Sequence, residues 1–76
     1  MITIRYFASL REQLGKAKEE IDPPAPVTAL EVWNAANQTT KAPDNLLVAI
    51  NQAYAKLDSP VNAGDEVAFF PPVTGG

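Results

Sequence analysis

The amino-acid sequence predicts an α+β fold in which one main helix, with a shorter second one, packs on a mixed sheet of about five strands. Three observations support this prediction. Apolar and polar residues alternate in the first and last segments, as they do in half-buried strands. A capping motif in the middle of the chain begins a helix with an apolar stripe. The length of 76 residues permits one domain with one modest core, because such a chain buries only about 60% of its unfolded surface.

The first strand is predicted over residues 2–8, where the alternation is regular. Successive side chains of a strand point to opposite faces of its sheet. One face carries Ile2, Ile4 and Tyr6, and the other carries Thr3, Arg5 and Phe7. We expect the main helix to cover the first set, which leaves Phe7 on the open face.

A short helix is predicted over residues 9–15, with Ser9 as its N-cap and Glu12 as the partner in a capping box. Gly15 fits the left-handed position that ends a helix. The following segment, residues 17–21, alternates weakly and is rich in charge. Charged side chains at a sheet edge discourage unwanted pairing, so this segment is predicted to form a short edge strand.

The main helix is predicted to begin after residues 22–26, where three prolines exclude a helix. Thr28 is the expected N-cap and Glu31 the capping-box partner. Val27 and Val32 have the spacing of a hydrophobic staple. The beginning of this helix is therefore defined by two independent motifs.

One stripe of the main helix carries Leu30, Trp33 and Asn37, with Ala29 and Ala36 beside it. We expect Leu30 and Trp33 to anchor the helix on the sheet. The helix is predicted to end before residues 38–40, which are polar or β-branched.

Three strands are predicted in the second half of the chain, over residues 46–50, 53–55 and 66–70. Asn51-Gln52 forms the tight connection between the first two, and turns cover residues 57–60 and 62–65. The first and last strands of the chain are the most apolar and are predicted to lie centrally.

The face of the sheet that the helix leaves open is predicted to bring Phe7, Tyr54 and Phe70 together. In the last strand, Val67 and Phe69 belong to the core face, and Ala68 and Phe70 to the open one. An exposed aromatic cluster on a small domain usually marks a binding surface. The alternative is that loops of the same chain cover these rings.

The chain contains no histidine and no cysteine. A Cys/His zinc site, an iron–sulfur cluster and ordinary haem ligation are therefore excluded, as are a Ser-His-Asp triad and a cysteine nucleophile. Ser9 and Thr28 are better explained as helix caps than as nucleophiles. We expect no bound cofactor and no metal, and the chain alone is not predicted to be an enzyme.

The charge and hydropathy of the sequence restrict the classes of partner that we expect this chain to bind. Six Lys and Arg against nine Asp and Glu give a net charge of −3, without the basic footprint of a nucleic-acid or membrane-surface protein. No apolar run approaches the ~20 residues of a membrane span, and no signal-peptide pattern opens the sequence. We expect a soluble cytoplasmic protein whose charged partners are basic. Asp65 and Glu66 are interpreted as a turn acid and a strand-start charge, with contact to a basic partner as the alternative.

The sequence ends in Pro71-Pro72-Val73-Thr74-Gly75-Gly76. Paired prolines end a sheet and favour an extended chain, which over six residues reaches at most ~20 Å. Two glycines would let the terminal carboxylate enter a narrow channel where any Cβ would clash. We therefore predict a domain over residues 1–70 and a functional tail over residues 71–76. The alternative is an ordinary frayed terminus.

Residues 64–76, and above all the run Phe-Phe-Pro-Pro-Val-Thr-Gly-Gly at their end, resemble the C-terminal signature of the small, sulfur-carrying subunits of molybdopterin synthase. Residues 4–8, 10–12 and 48–52 also fit this family of ubiquitin-like sulfur carriers. The resemblance implies the ubiquitin-like β-grasp fold.

The resemblance also implies a chemistry for the tail. An E1-like enzyme would use ATP to adenylate Gly76, and a sulfur donor would convert the adenylate to a thiocarboxylate, a C-terminal thioglycine. The sulfur would pass to cyclic pyranopterin monophosphate and build the dithiolene of molybdopterin. The large subunit of the synthase would supply the catalytic side chains within a heterotetramer, and no nucleic acid or membrane would take part.

Site residues follow from the same resemblance. Gly76 would carry the sulfur and Gly75 would allow its entry into the partner. The family's apolar contact positions correspond to Phe7, Tyr54 and Phe70, with an aliphatic residue more usual at position 54. The tail positions Pro71, Pro72, Val73 and Thr74 would also bind the partner.

Three other functions stay open from the sequence. The chain could be a related sulfur carrier for thiazole, tRNA or cysteine synthesis. It could be a protein modifier joined to lysines through Gly76. It could also be a passive binding module that uses the open face of its sheet.

Overall fold

The computed structural model describes residues 1–24 and 26–71. Within them the bounds are β1 (Ile2–Tyr6), α1 (Ser9–Leu14), β2 (Lys18–Ile21), β3 (Val27–Thr28), α2 (Ala29–Ala36), β4 (Leu47–Ile50), β5 (Ala53–Ala55), β6 (Pro60–Val61) and β7 (Glu66–Phe70). Two helices and a five-stranded mixed sheet confirm the predicted α+β class. Neither helix of this described part is long and apolar enough to span a membrane.

The main sheet has the strand order β2-β1-β7-β4-β5. β1 and β7 run parallel, and the other neighbours are antiparallel. β7 is therefore the central strand, with β1 beside it, and the charged β2 lies at an edge. These three placements confirm the sequence predictions.

The core lies between the sheet and α2. The alternating residues of β1 and β7 that were expected to face the helix are all buried, namely Ile2, Ile4, Tyr6, Val67 and Phe69. Trp33 of α2 meets the edge of the Phe69 ring at a centroid distance of 5.1 Å. Its indole Nε1 donates to the carbonyl oxygen of Thr40 at 2.9 Å, so the buried ring has no unpaired polar atom.

The beginning of α2 confirms the predicted capping box. The backbone N–H of Glu31 donates to Thr28 Oγ1 at 3.1 Å, and the backbone N–H of Thr28 donates to Glu31 Oε1 at 2.8 Å. Val27 and Val32 both pack in the core, as their staple spacing predicts.

The prediction that Leu30 anchors α2 was wrong, because its side chain is 38% exposed. The stripe that faces the sheet consists of Ala29, Val32, Trp33 and Ala36, which follow the i, i+3, i+4, i+7 spacing of one helix face. Leu30 is one residue past Ala29 and is turned about 100° away from that stripe. Trp33 is the anchor, and Asn37 at the helix end is buried as expected.

The predicted N-cap of α1 was also wrong. Ser9 is already helical, and Ala8 holds the cap position with φ 53° and ψ −132°, without a side-chain cap bond. The N–H of Leu10 donates to the carbonyl oxygen of Phe7 at 3.2 Å, which closes a tight turn around Ala8. A capping side chain requires a non-helical backbone, so Ser9 cannot supply it. Gly15 ends the helix at φ 70°, in the predicted left-handed conformation.

The sequence did not predict the small second sheet formed by β3 and β6. Val27 pairs with Val61 and Thr28 with Pro60, whereas the sequence predicts a turn that includes Pro60. Strands of two residues are too short to show alternation. The tight connection Asn51-Gln52 is confirmed, with positive φ values of 51° and 70°.

Candidate functional site

The tail leaves the domain from the central strand of the sheet. β7 ends at Phe70, which pairs with Leu47 at the beginning of β4. Parallel pairing places the end of β1 at the same sheet edge, where Tyr6 pairs with Phe69. Of the six tail positions, Pro71 is half-buried. The predicted site residues Pro72, Val73, Thr74, Gly75 and Gly76 lie outside the described residues.

Three aromatic rings meet beside this exit, on the sheet face opposite α2. The rings of Phe7 and Phe70 stack with centroids 4.9 Å apart and planes 9° from parallel. Tyr54 of β5 lies 6.4 Å from Phe70. Phe7 is 38% and Tyr54 is 83% exposed. We call Phe7, Tyr54 and Phe70 the aromatic cluster; its assembly on the open face confirms the sequence prediction, and no described loop encloses it.

The backbone around Phe7 explains how this ring is held. The Phe7 N–H donates to the carbonyl oxygen of Phe69 at 3.2 Å, which extends the pairing of β1 and β7 by one residue. The positive φ of Ala8 then turns the chain abruptly into α1. Phe7 is thus fixed between a ladder bond and a turn, next to Phe70.

The aromatic cluster borders an open depression of about 310 Å³ in the sheet face. Its floor includes Ala49 and Ala68, and Arg5, Gln52 and Glu66 complete its rim. Arg5 Nη1 is 3.8 Å from Glu66 Oε2, which is an ion-pair distance longer than a hydrogen bond. A shallow apolar surface with a charged rim suits a protein partner better than an enclosed small molecule.

A polar network that the sequence did not predict lies on the helix side of the sheet. Tyr6 Oη donates to Glu19 Oε2 at 2.7 Å and accepts from Asn37 Nδ2 at 3.0 Å. Lys16 Nζ lies 2.6 Å from the same Glu19 oxygen and donates to the carbonyl oxygen of Ala36 at 3.1 Å. Burial, and then the bond to Glu19, raise the pKa of the Tyr6 phenol. This network links the edge strand β2 to the C-terminal end of α2. Because it lies on the helix side of the sheet, opposite the aromatic cluster, we interpret its role as structural.

Asp65 has a structural role at the turn before β7. Its carboxylate accepts from the N–H of Asn62 at 2.8 Å and from Asn51 Nδ2 at 3.0 Å. These bonds, first the one from Asn62, hold the pKa of Asp65 below its usual value. Asn51 Oδ1 also accepts from the N–H of Glu66 at 3.0 Å, which fixes β7 against the β4–β5 turn. The geometry agrees with the interpretation of Asp65 as a turn acid.

Within residues 1–24 and 26–71, no group of three or more Asp, Glu, His or Cys side chains is placed to hold a metal ion.

The sequence matches the ThiS family over residues 4–76. The chain belongs to the ThiS family. This ThiS-family chain is 43% identical over 81 residues to the molybdopterin synthase sulfur carrier subunit of Escherichia coli (strain K12), with 100% of both chains covered. It is 40% identical over 85 residues to the subunit of the same name from Haemophilus influenzae, again with 100% of both covered. These relatives confirm the resemblance seen in the sequence.

Solved structures place the ThiS-family chain in the ubiquitin-like β-grasp fold. The crystal structure of SAMP1 from Haloferax volcanii matches with a TM-score of 0.81 and 28% identity, over 99% of this chain and 98% of that one. The fold implied by the resemblance is thereby confirmed. The similarity extends through the part of the chain that contains the aromatic cluster.

Proposed function

We propose that this chain is the sulfur-carrying subunit of a molybdopterin synthase and that it carries the sulfur on Gly76. The observation that carries the proposal is the exit of the tail from the central strand β7, directly beside the aromatic cluster. A partner that binds this face therefore also receives the tail. Two full-length relatives named as sulfur carrier subunits of this synthase support the same assignment.

The chemistry begins at the terminal carboxylate. An α-carboxyl group has an ordinary pKa of ~3.3–3.7, so Gly76 is an anion and a poor electrophile at neutral pH. An E1-like partner transfers AMP from ATP to this carboxylate, and pyrophosphate leaves. A sulfur donor then displaces AMP and leaves a thiocarboxylate at Gly76. None of these steps needs a catalytic side chain in this chain, which has no histidine or cysteine to offer.

Delivery of the sulfur takes place in the large subunit of the synthase. The thiocarboxylate sulfur attacks a carbon of cyclic pyranopterin monophosphate and forms a thioester link between Gly76 and the pterin. Water then cleaves the bond between the Gly76 carbonyl carbon and the sulfur, so the carrier leaves with an ordinary carboxylate, and two charged carriers supply the two sulfurs of each dithiolene. The large subunit contributes the catalytic side chains, and two large and two small subunits form the heterotetramer. This chain contributes the sulfur and the geometry of its delivery.

The two parts of the chain divide the work. Residues 1–70 form the docking domain, in which Phe7 and Phe70 are the apolar anchors and Tyr54 widens the contact. Residues 71–76 are the reactive tail, in which Pro71, Pro72, Val73 and Thr74 line the partner's channel. Gly75 passes the narrowest part and Gly76 reaches the reacting centre. Six residues span at most ~20 Å, so docking of the domain decides where Gly76 arrives.

A protein modifier is the second candidate, because this chain also matches the crystal structure of H. volcanii small archaeal modifier protein 1, with a TM-score of 0.79 and 26% identity over 95% of this chain. A modifier would be joined through Gly76 to lysines of other proteins. Denaturing electrophoresis of cell extracts separates the two functions. A modifier gives a ladder of higher-mass conjugates that carry this chain, whereas a dedicated carrier gives the free chain only. A carrier for thiazole synthesis would instead fail to convert the pterin precursor.

Deletion of Gly76 tests the proposed function. The shortened chain still ends in a glycine carboxylate, but its reach falls by about 3.5 Å. A displacement of ~1 Å at a reacting centre can cost about a hundredfold in rate. We expect normal folding and docking, with almost no ATP–pyrophosphate exchange with the E1-like enzyme and almost no pterin conversion with the large subunit.

Two substitutions at Gly75 provide the matched series. Gly75→Val should block the reaction, and Gly75→Ala should slow it less, because its side chain is smaller. Near-wild-type pterin conversion by the Gly76 deletion would contradict the proposed function, since the terminal carboxylate would then not be the reacting group.

A further inference from the structure

On the open face of the sheet, side chains at paired positions of neighbouring strands form rows across the sheet. These rows differ in charge and polarity. The row nearest the tail is apolar and contains Phe7 and Phe70. In the next row, Arg5 of β1 lies opposite Lys18 of β2 on one side and opposite Ala68 of β7 on the other. The third row has Thr3 between Glu20 and Glu66. Cations therefore lie directly beside the aromatic cluster, and acids lie farther from the tail.

Lys18 and Arg5 share the open face. Glu19, the neighbour of Lys18, points to the helix side, where it accepts from Tyr6. Because side chains alternate along a strand, Lys18 points to the opposite face. Arg5 lines the depression beside Phe7 and Phe70. Two like charges at directly opposed positions of adjacent strands disfavour folding, so this pair is not explained by the stability of the free chain.

The local partners of the pair neutralise it only in part. Arg5 has one carboxylate, that of Glu66, at 3.8 Å, and its side chain remains 48% exposed. Lys18 is exposed and takes part in none of the ion pairs found among the described residues. The net charge of −3 predicts a basic partner, but the row next to the aromatic cluster is positive. A contact at this face is governed by the local charge.

We propose that Arg5 and Lys18 form a cationic docking pair that receives an acidic patch on the large synthase subunit. This inference rests on the proposed function and adds the charge of the partner's surface to it. Residues 72–76 reach at most about 18 Å beyond Pro71, so the subunit that holds Gly76 must lie against this end of the open face. The aromatic cluster supplies apolar contact area, and the cations fix the rotation of the domain and accelerate encounter.

Charge reversal tests the inference. The probe is the purified large synthase subunit of the same organism, mixed with the carrier in a stopped-flow instrument. Arg5→Glu and Lys18→Glu should each lower the association rate about tenfold at low ionic strength, because steering by complementary charges accelerates association by ~10-fold or more. The difference should shrink as salt shortens the Debye length from about 30 Å to about 8 Å.

Lys41→Glu is the matched control, because it changes the net charge by the same amount. Lys41 lies on the helix side, beside Leu30 and Asn34. The Lys41→Glu variant should associate with the large subunit at a rate within about twofold of the wild type. Equal rates for all three reversal variants would overturn the inference, and so would faster association of Arg5→Glu, which would indicate a basic partner surface.

A second measurement separates docking from a structural role. Lys18→Gln removes the repulsion with Arg5, so the unfolding temperature of the free chain should stay constant or rise while association slows. A lower unfolding temperature with unchanged association would make Lys18 a structural residue and overturn the inference.

Phe70→Ala distinguishes the cationic docking pair from the aromatic docking face of the proposed function. If it weakens binding while Arg5→Glu and Lys18→Glu do not, the cationic pair is refuted and the aromatic docking face stands. If none of the three weakens binding, the docking face of the proposed function fails as well.

Discussion

Phe7 and Phe70 stack face to face at 4.9 Å, although Phe7 follows the first strand of the chain and Phe70 ends the last one. The parallel pairing of β1 with β7 brings them together, since it aligns Tyr6 with Phe69 at the end of both strands. The tail begins at the next residue. The same pairing that completes the core therefore places an exposed Phe7 and a half-buried Phe70 together on the open face, next to Pro71.

Replacement of Phe70 by alanine should weaken binding to the large subunit by about 2 kcal/mol or more, as aromatic anchors often do. The free energy of unfolding should fall by about 1–3 kcal/mol, because Phe70 loses its aromatic pairs with Phe7 and Tyr54, each worth about 0.5–1.5 kcal/mol. Isothermal calorimetry and urea unfolding give the two quantities. Leu30→Ala is the control, because Leu30 is a large apolar residue that is 38% exposed and lies on the helix side. A loss of several kcal/mol of stability with unchanged binding would place Phe70 in the core instead.

Replacing the predicted N-cap residue of each helix by alanine should give different results for α1 and α2. Thr28→Ala removes an observed capping box and should cost about 1 kcal/mol of unfolding free energy. Ser9→Ala should be nearly neutral, because the side chain of Ser9 makes no cap bond. Thermal unfolding of both variants under one condition provides the comparison. An equal loss in both would show that Ser9 caps α1 in solution.

Tyr6→Phe removes the hydroxyl that joins Asn37 to Glu19. Asn37 is only 7% exposed, and its Nδ2 would lose the phenol oxygen as acceptor. A buried polar group without its partner costs about 1–3 kcal/mol, which urea unfolding can detect. Tyr54→Phe is the control, because Tyr54 is 83% exposed and should tolerate the change.

The raised pKa of the Tyr6 phenol predicts that the free energy of unfolding depends on pH. The phenol titrates near pH 10 in the unfolded chain and at higher pH in the folded one, so above pH 10 the unfolded state binds fewer protons. The contribution of Tyr6 is therefore complete below about pH 10 and decreases as the pH rises above it. The unfolding free energy of the wild type should fall more steeply above pH 10 than that of Tyr6→Phe. Parallel slopes would contradict the burial of this hydroxyl.

Ala8→Gly should stabilise the chain. Ala8 has φ 53° and ψ −132°, a combination that glycine adopts without strain. Relief of about 1–3 kcal/mol of strain exceeds the entropic cost of a glycine, roughly 0.5–1 kcal/mol. We expect a net gain of about 1 kcal/mol in urea unfolding. Ala35→Gly in the exposed part of α2 should instead cost about 1 kcal/mol. A loss in both variants would exclude strain at Ala8.

The sequence predicts the core face well because alternation is a direct consequence of strand geometry. Ile2, Ile4 and Tyr6 could be assigned to it without a structure, and the same is true of Val67 and Phe69. The opposite face follows by elimination, which is why the aromatic cluster was predictable. The local motif at Thr28 was predictable for a similar reason, since both of its partners lie within one helical turn.

Features that depend on distant backbone pairing were not predictable. Ser9 has the right side chain for a cap, but the turn at Ala8 places it one position too far along the helix. Leu30 is as apolar as a core residue, and only the rotation of α2 on the sheet excludes it. Likewise, no local pattern indicates that Glu19 and Asn37 meet at the hydroxyl of Tyr6.

Intact mass spectrometry of the chain, purified from its native host while molybdopterin is being made, tests the central claim most directly. We expect part of the protein to show the mass change of one oxygen replaced by sulfur, and fragmentation should locate that change at Gly76. The signal should be absent when the activating enzyme is deleted. A chain that carries only an ordinary carboxylate in the intact host would contradict the claim that this protein carries sulfur on its tail.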